Sequence, residues 1–259
     1  MTLLYYALAT MFAIMVGIAS GLGPGLIMKP LFDLMNLHSV TEIGNYISIA
    51  FLPVLVILTY RFFKNNKAPV DWKRVATSAC GAITGGILGE YFFEFMVKTN
   101  ELLVKQIQTF TLVVIIVIML FYFLKKVEIK EAKIETKAKV YILSLVLSAS
   151  IIFLGFGGRG LNLAAYLTFF PYDKKEAPLL SIVIIFCAQV TKLTKIALTS
   201  GFGTFDPKVV IVLLVTSTIG SLLGYTINKY VPKKYINPIS IAILIFVGCL
   251  TTLNLIRLF

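Results

Sequence analysis

Glycine clusters interrupt two long apolar stretches of the chain, and the backbone around them could bind an anion. The first cluster is Gly21-Leu22-Gly23-Pro24-Gly25 and the second is Gly155-Phe156-Gly157-Gly158-Arg159-Gly160. The first N–H groups of a helix have no partner within it and together carry roughly half a positive charge, so a helix that begins after such a break attracts an anion. Glycine also lets a ligand approach the backbone closely. The candidate substrate-binding glycines are Gly21, Gly23, Gly25, Gly157, Gly158 and Gly160.

Side chains after the second cluster could add charge and hydrogen bonds. Arg159 lies inside the break, and its guanidinium stays protonated and matches an oxyanion in a bidentate manner, although it could instead pair with a structural carboxylate. Asn162 could donate from its amide or serve in capping and packing. Gln189, Lys192 and Lys195 follow at intervals of three and lie along one helix face, where the lysines could also snorkel to the interface. We predict Arg159, Asn162, Gln189 and Lys192 as further substrate-binding residues.

Two carboxylates are the candidates for proton coupling. Glu90 lies inside an apolar segment and Glu42 lies at the start of another, and solvation at the interface is the alternative role of each. Lys29, after the first break, could add positive charge there or snorkel. Asp33 falls near a predicted interface.

No enzyme, metal site or cofactor is predicted. Cys80, Cys187 and Cys249 lie in separate apolar runs, without a second Cys or His at the spacing of metal ligands. No Ser–His or Cys–His pair has a plausible shared depth, and no pair of aspartates lies in mid-membrane.

The composition places these residues in a lipid bilayer. The 259 residues are 58% hydrophobic and 14% charged, whereas a soluble domain is about 45–50% apolar and about 25% charged. The mean hydropathy is +0.91. Residues 1–18 lack a basic leader and a cleavage motif, so we expect a retained first membrane helix. Six segments reach the roughly 20 apolar residues that a spanning helix needs: 43–60, 75–97, 103–124, 178–199, 209–227 and 236–256.

The two glycine-containing stretches are too long to be single spans. Residues 3–34 and 140–170 would each overshoot a hydrocarbon core of about 30 Å as one straight helix, so each must break. Unwound backbone is tolerated at membrane depth only inside protein or beside water. We predict that each stretch is a re-entrant helical hairpin.

The two halves of the sequence repeat each other. A shift of 134 residues places Glu42 on Glu176, and a shift of 135 places Gly85 on Gly220 and Gly89 on Gly224. Broken elements at matching positions of a repeat indicate the binding site of a transporter.

Basic loops change sides between the halves. In the first half the gap 61–74 and the linker 126–139 are rich in Lys and Arg, and the gap 99–102 is poor in them. In the second half the counterpart of 61–74, residues 200–208, is poor, and the counterpart of 99–102, residues 229–234, is rich. Cytoplasmic loops carry the excess of basic residues, which also explains the net charge of +12 without nucleic acid. We predict an all-α polytopic membrane protein of two inverted repeats, each a hairpin plus three transmembrane helices, with both termini outside. Its parts are residues 1–125, the cytoplasmic linker 126–139 and residues 140–259. Eight plain spans in two parallel halves are the alternative.

The sequence resembles the TauE/SafE family of sulfite-exporter-like permeases. The resemblance rests on the two glycine-rich breaks, on Glu42 and Glu176, on Val70-Asp71-Trp72 and on the duplicated Gly-xxx-Gly pattern, and it covers nearly the whole chain. It implies a secondary transporter that exports sulfite, a sulfonate or a related organic anion across a prokaryotic inner membrane. The first break is usually richer in consecutive glycines in this family, and here Pro24 interrupts it.

The functional hypothesis is therefore an alternating-access anion transporter without a cofactor. Its partners are a small anionic substrate and the lipid bilayer. The sequence does not decide the oligomeric state, and a homodimer is possible. The alternatives are a passive anion channel that uses the same turns as a filter, an uptake permease, and a membrane scaffold that transports nothing.

Overall fold

The computed structural model describes residues 2–65, 70–125, 136–156, 162, 165, 177–199, 201 and 205–259. Over these residues the chain forms nine helices and no strand: α1 Thr2–Ser20, α2 Pro24–Met35, α3 Val40–Asn65, α4 Trp72–Thr99, α5 Glu101–Lys125, α6 Lys137–Leu154, α7 Ala177–Thr199, α8 Pro207–Tyr230 and α9 Lys233–Ile256. Seven of them, all except α2 and α4, are long and apolar enough to cross a membrane. The predicted class, an all-α polytopic membrane protein, is confirmed.

The helices extend beyond the apolar segments read from the sequence because polar caps and interfacial residues continue them. Asp71 caps α4 by accepting hydrogen bonds from the N–H groups of Lys73 and Arg74. α6 begins at Lys137, three residues before the predicted hairpin start at residue 140. Most of the predicted linker, residues 126–135, lies outside the described residues.

The first glycine cluster separates α1 from α2. Gly21 and Gly23 have φ of 76° and 97°, a region that glycine enters without strain. α2 then folds back along α1, since the Tyr5 hydroxyl donates to the Leu31 carbonyl over 3.0 Å. With 12 residues, α2 is only about 18 Å long and is a half-helix rather than a span.

Of the second broken stretch, the structure describes α6, Gly155, Phe156, Asn162 and Ala165. α6 ends at Leu154, and Gly155 caps it in the left-handed conformation with φ of 68°. The predicted site residues Gly157, Gly158, Arg159 and Gly160 lie outside the described residues.

Glycine seams join the first helix of each predicted half to a helix of the other half. A Cβ on Gly85 of α4 would collide with the backbone of Leu145 in α6. A Cβ on Gly220 of α8 would lie 3.0 Å from the Met11 carbonyl oxygen in α1. Leu145 follows Met11 by 134 residues and Gly220 follows Gly85 by 135, so the two contacts are reciprocal.

The matched helices α4 and α8 run in opposite directions. α3 is parallel to α8, because Tyr46 lies by Phe205 at one end (ring centroids 5.9 Å apart) and the Asn65 amide donates to the Tyr225 hydroxyl at the other. α4 starts where α3 ends, with Trp72 stacked on Phe63. Inverted repeats require this arrangement, although the repeat relation itself stays a prediction.

Candidate functional site

Four charged side chains are buried in the described part of the chain. They are Lys29 and Asp33 of the half-helix α2, Glu90 of α4 and Lys192 of α7. Burying a charge is costly unless it is paired, and ionisable residues within a membrane usually mark a functional pathway. The four residues therefore define the candidate site.

Lys29 links the two glycine breaks. Its ammonium lies 2.7 Å and 2.8 Å from the two carboxylate oxygens of Asp33. Its side chain passes the second break, where a Cβ on Gly155 would lie 3.5 Å from the Lys29 Cε. Gln108 of α5 lies next to them and donates to the Phe153 carbonyl over 2.6 Å. The half-helix after the first break thus reaches the start of the second one inside the bundle.

Lys192 lies in the interior with its ammonium against α3. A Cβ on Gly44 would lie 2.9 Å from the Lys192 Nζ, and the Phe93 ring centroid is 5.4 Å from it. Lys192 is 2% exposed, so it does not snorkel. Lys195, one turn later, instead ion-pairs with Glu94 over 2.8 Å. No carboxylate among the described residues forms an ion pair with Lys192.

Several buried polar atoms of the bundle lack a hydrogen-bond partner among the described residues. Buried polar groups are normally hydrogen-bonded, so such atoms indicate room for a polar ligand or water. Gln189 precedes Lys192 by one turn, and Asn45 follows Gly44. The unpartnered atoms include Glu90 Oε2, Gln189 Oε1, Asn45 Oδ1, Gln108 Oε1 and both amide atoms of Asn162.

A cleft of about 620 Å³ opens between α4 and α7, and Glu90 is one of its lining residues. Glu90 itself is only 3% exposed, so it lies at the bottom of this cleft. Most of the wall is apolar. Besides Glu90 and Tyr91 of α4, the polar residues that line it come from one face of α7: Thr191, Thr194, Lys195 and Thr199.

The predicted site residues of the first half occupy different environments. Gly23 and Gly25 are buried at the start of α2, whereas Gly21 is exposed. Glu42 is exposed and accepts a hydrogen bond from the Ser39 N–H, while the Ser39 hydroxyl accepts one from the Glu42 N–H. This reciprocal pair is a capping box at the start of α3, so the Glu42 carboxylate has a structural role in capping that helix.

The family described as Sulfite exporter TauE/SafE matches residues 6–251, which is most of the 259-residue chain. The protein belongs to the TauE/SafE family. The resemblance noted from its motifs is thereby confirmed, and the chain is a multi-pass membrane protein of a transporter family, not of an enzyme family. Comparisons with curated proteins and with solved structures gave no match.

The structure of this TauE/SafE chain adds residues that sequence reasoning missed. Asp33, which was not among the predicted site residues, is buried and pairs with Lys29 one turn earlier on the same helix. The i,i+4 spacing of opposite charges was a usable signal. No pattern in the sequence indicated a role for Gly44, since that role depends on the approach of Lys192 from another helix.

Proposed function

We propose that the protein is a secondary transporter that moves sulfite, a sulfonate or a related small anion by alternating access, with export as its direction. The observation that carries this proposal is the buried ammonium of Lys192, which no described carboxylate ion-pairs. A bound anion would supply the missing opposite charge, and a partner for a buried charge is strongly favourable.

The meeting of the two broken stretches supports the same site. The start of α2 is buried around Gly23 and Gly25, and the free N–H groups of a helix start favour an anion. The Lys29 side chain, whose ammonium pairs with Asp33, brings α2 into contact with Gly155. Because Gly157, Gly158, Arg159, Gly160 and Asn162 follow Gly155 closely in sequence, we assign them to the same site, together with Gln189.

Alternating access is favoured by the opposite directions of α4 and α8, since halves that are inverted can open to either side around one site. In the proposed orientation both termini face outside and the linker faces the cytoplasm of a prokaryotic cell. Outward movement of one negative charge then gains about 2.3 kcal/mol per 100 mV of membrane potential. A homodimer stays a prediction.

A counterflow assay in proteoliposomes tests the carrier. Labelled sulfite should accumulate in vesicles that were loaded with unlabelled sulfite, and a sulfonate outside should compete. Ohmic anion currents without counterflow would instead support a passive channel.

A matched pair of lysine variants tests the site. Lys192→Met should reduce counterflow by about 30- to 100-fold, because a charge-assisted contact contributes roughly 2–3 kcal/mol. Lys195→Met, one turn away on the same helix, should keep at least half of the flux. Equal flux through both variants would refute the assignment.

A further inference from the structure

Glu90 and Lys192 are a buried carboxylate and a buried ammonium on neighbouring helices. α4 and α7 pack closely at Gly86, where a Cβ would lie 3.3 Å from the Thr191 Cβ. Glu90 follows Gly86 by one turn on that face, and Lys192 follows Thr191 directly. The two groups do not come within ion-pairing distance of each other.

The Glu90 carboxylate is poorly compensated where it stands. Its Oε2 atom is buried and has no hydrogen-bond partner among the residues that the structure describes. Asp33, the other buried carboxylate of the site, has both oxygens on the Lys29 ammonium. An ionised carboxylate with an unpartnered buried oxygen is costly, so its charge depends on a nearby cation.

The other charged groups on the helices around Glu90 are engaged with partners of their own. Lys195 of α7 pairs with Glu94. On the far side of α4, residues 140–154 of α6 carry no charge. From α5, the Glu101 carboxylate accepts the Val40 N–H and the Lys105 ammonium donates to the Asn36 side chain. Within the described chain, the balance at Glu90 therefore depends on Lys192.

We propose that Glu90 is a proton site linked to anion binding, and that it takes up one proton when an anion binds at Lys192. This inference rests on the proposed function. In the empty site the ionised carboxylate balances the Lys192 ammonium. A bound anion takes over that ammonium and repels the carboxylate, which then holds a proton.

The linkage is reciprocal and sets the charge that crosses the membrane. Because anion binding favours protonation, protonation raises the anion affinity by the same factor, and binding tightens as pH falls. A monoanion moves together with its proton as a neutral pair. A dianion keeps one net negative charge and is still drawn outward by the membrane potential.

In this proposal the proton reaches Glu90 through the cleft between α4 and α7. Thr191, Thr194, Lys195 and Thr199 line it from the level of Glu90 to the end of α7. Hydroxyl groups along one helix face can hold the water that delivers a proton. In the predicted orientation this route opens outside.

Calorimetric titration of the purified full chain tests the linkage. The probes are sulfate and methanesulfonate, whose charges stay constant between about pH 5.5 and 8.5. Titrations in buffers of different ionisation enthalpy count the protons taken up with each anion. Wild type should take up close to one proton, and its Kd should rise by up to about tenfold per pH unit.

Two variants are compared with wild type. Glu90→Gln should take up no proton and bind with a Kd independent of pH. The control is the double variant Glu94→Gln, Lys195→Met, which removes the neighbouring ion pair as a whole and should take up a proton as wild type does. Proton uptake by Glu90→Gln equal to that of wild type would overturn the inference.

A second measurement does not depend on how well a variant folds. Infrared difference spectra of wild type should gain a protonated-carboxyl band when sulfate binds, and a spectrum without that band overturns the inference. Normal anion binding by Lys192→Met, or no binding of either probe by wild type, refutes the proposed function instead. Tight binding by wild type with no dependence on pH refutes the proton site alone.

Discussion

The Lys29 ammonium lies 2.7 Å from the Asp33 carboxylate, one helical turn further along α2, and both side chains are buried. The pair allows a half-helix with two charges to pack in the centre of an apolar bundle. It also holds the Lys29 side chain against Gly155. The first break is thus joined to the second by a single side chain.

Removing one member of this pair should be more harmful than removing both. Asp33→Asn leaves the Lys29 charge buried without its partner and should lower the free energy of unfolding by about 3–5 kcal/mol. The double variant Lys29→Met, Asp33→Asn removes both charges and should recover most of that loss. Thermal unfolding in one detergent measures all three proteins. Equal losses in the single and the double variant would show that the charge balance is unimportant.

Gly44 should control the position of the Lys192 ammonium. In Gly44→Ala the new Cβ would lie 2.9 Å from Nζ, and the flexible lysine end would move rather than the helices. We expect anion affinity to fall about tenfold, or about 1.4 kcal/mol, with little change in thermal stability. Gly248→Ala is the control, because its Cβ would lie 3.4 Å from Ile116 and touch nothing charged. Unchanged affinity in Gly44→Ala would place the anion elsewhere.

The two glycine seams should differ in their tolerance of a methyl group. In Gly85→Ala the Cβ meets the Leu145 backbone, which cannot move without separating α4 from α6, so we expect a loss of roughly 1–3 kcal/mol. Gly220→Ala meets its nearest atom at 3.0 Å and should lose less stability. Unfolding midpoints of the two variants measure the difference, and the reverse order would contradict this account of the seams.

Glu42 should act in capping rather than in proton transfer. Glutamine also completes a capping box, so Glu42→Gln should change stability by only a few tenths of a kcal/mol. Ser39→Ala removes the other half of the box and should lose about 1 kcal/mol. Sulfite counterflow at several pH values should be the same in Glu42→Gln as in wild type. A flattened pH profile would instead support the role in proton coupling predicted from the sequence.

Much of the fold could be predicted from local patterns. Apolar length located six of the long helices. Gly21 to Gly25 located the turn between α1 and α2, because clustered glycine and proline interrupt a helix. The repeated Gly-xxx-Gly pattern indicated close packing before any partner was known. These signals lie within short segments of sequence.

The details of the site depend on contacts between distant segments and could not be predicted in this way. Lys192 and Lys195 look alike in sequence, yet Lys195 meets Glu94 while Lys192 turns inward against Gly44. Glu42 and Glu90 looked equally suited to proton coupling, but only Glu90 is buried. Which helix faces which decides these outcomes, and no periodicity in the sequence contains that information.

The packing of α1 on α8 has a consequence for biogenesis. Gly220 lies 209 residues beyond Met11, so α1 leaves the ribosome long before its partner has been made. Until then its seam must rest against lipid or the insertion machinery. α4 likewise precedes α6. The nascent chain therefore cannot finish folding one half before the other. The contact between α1 and α8 can form only when the last third of the chain is translated.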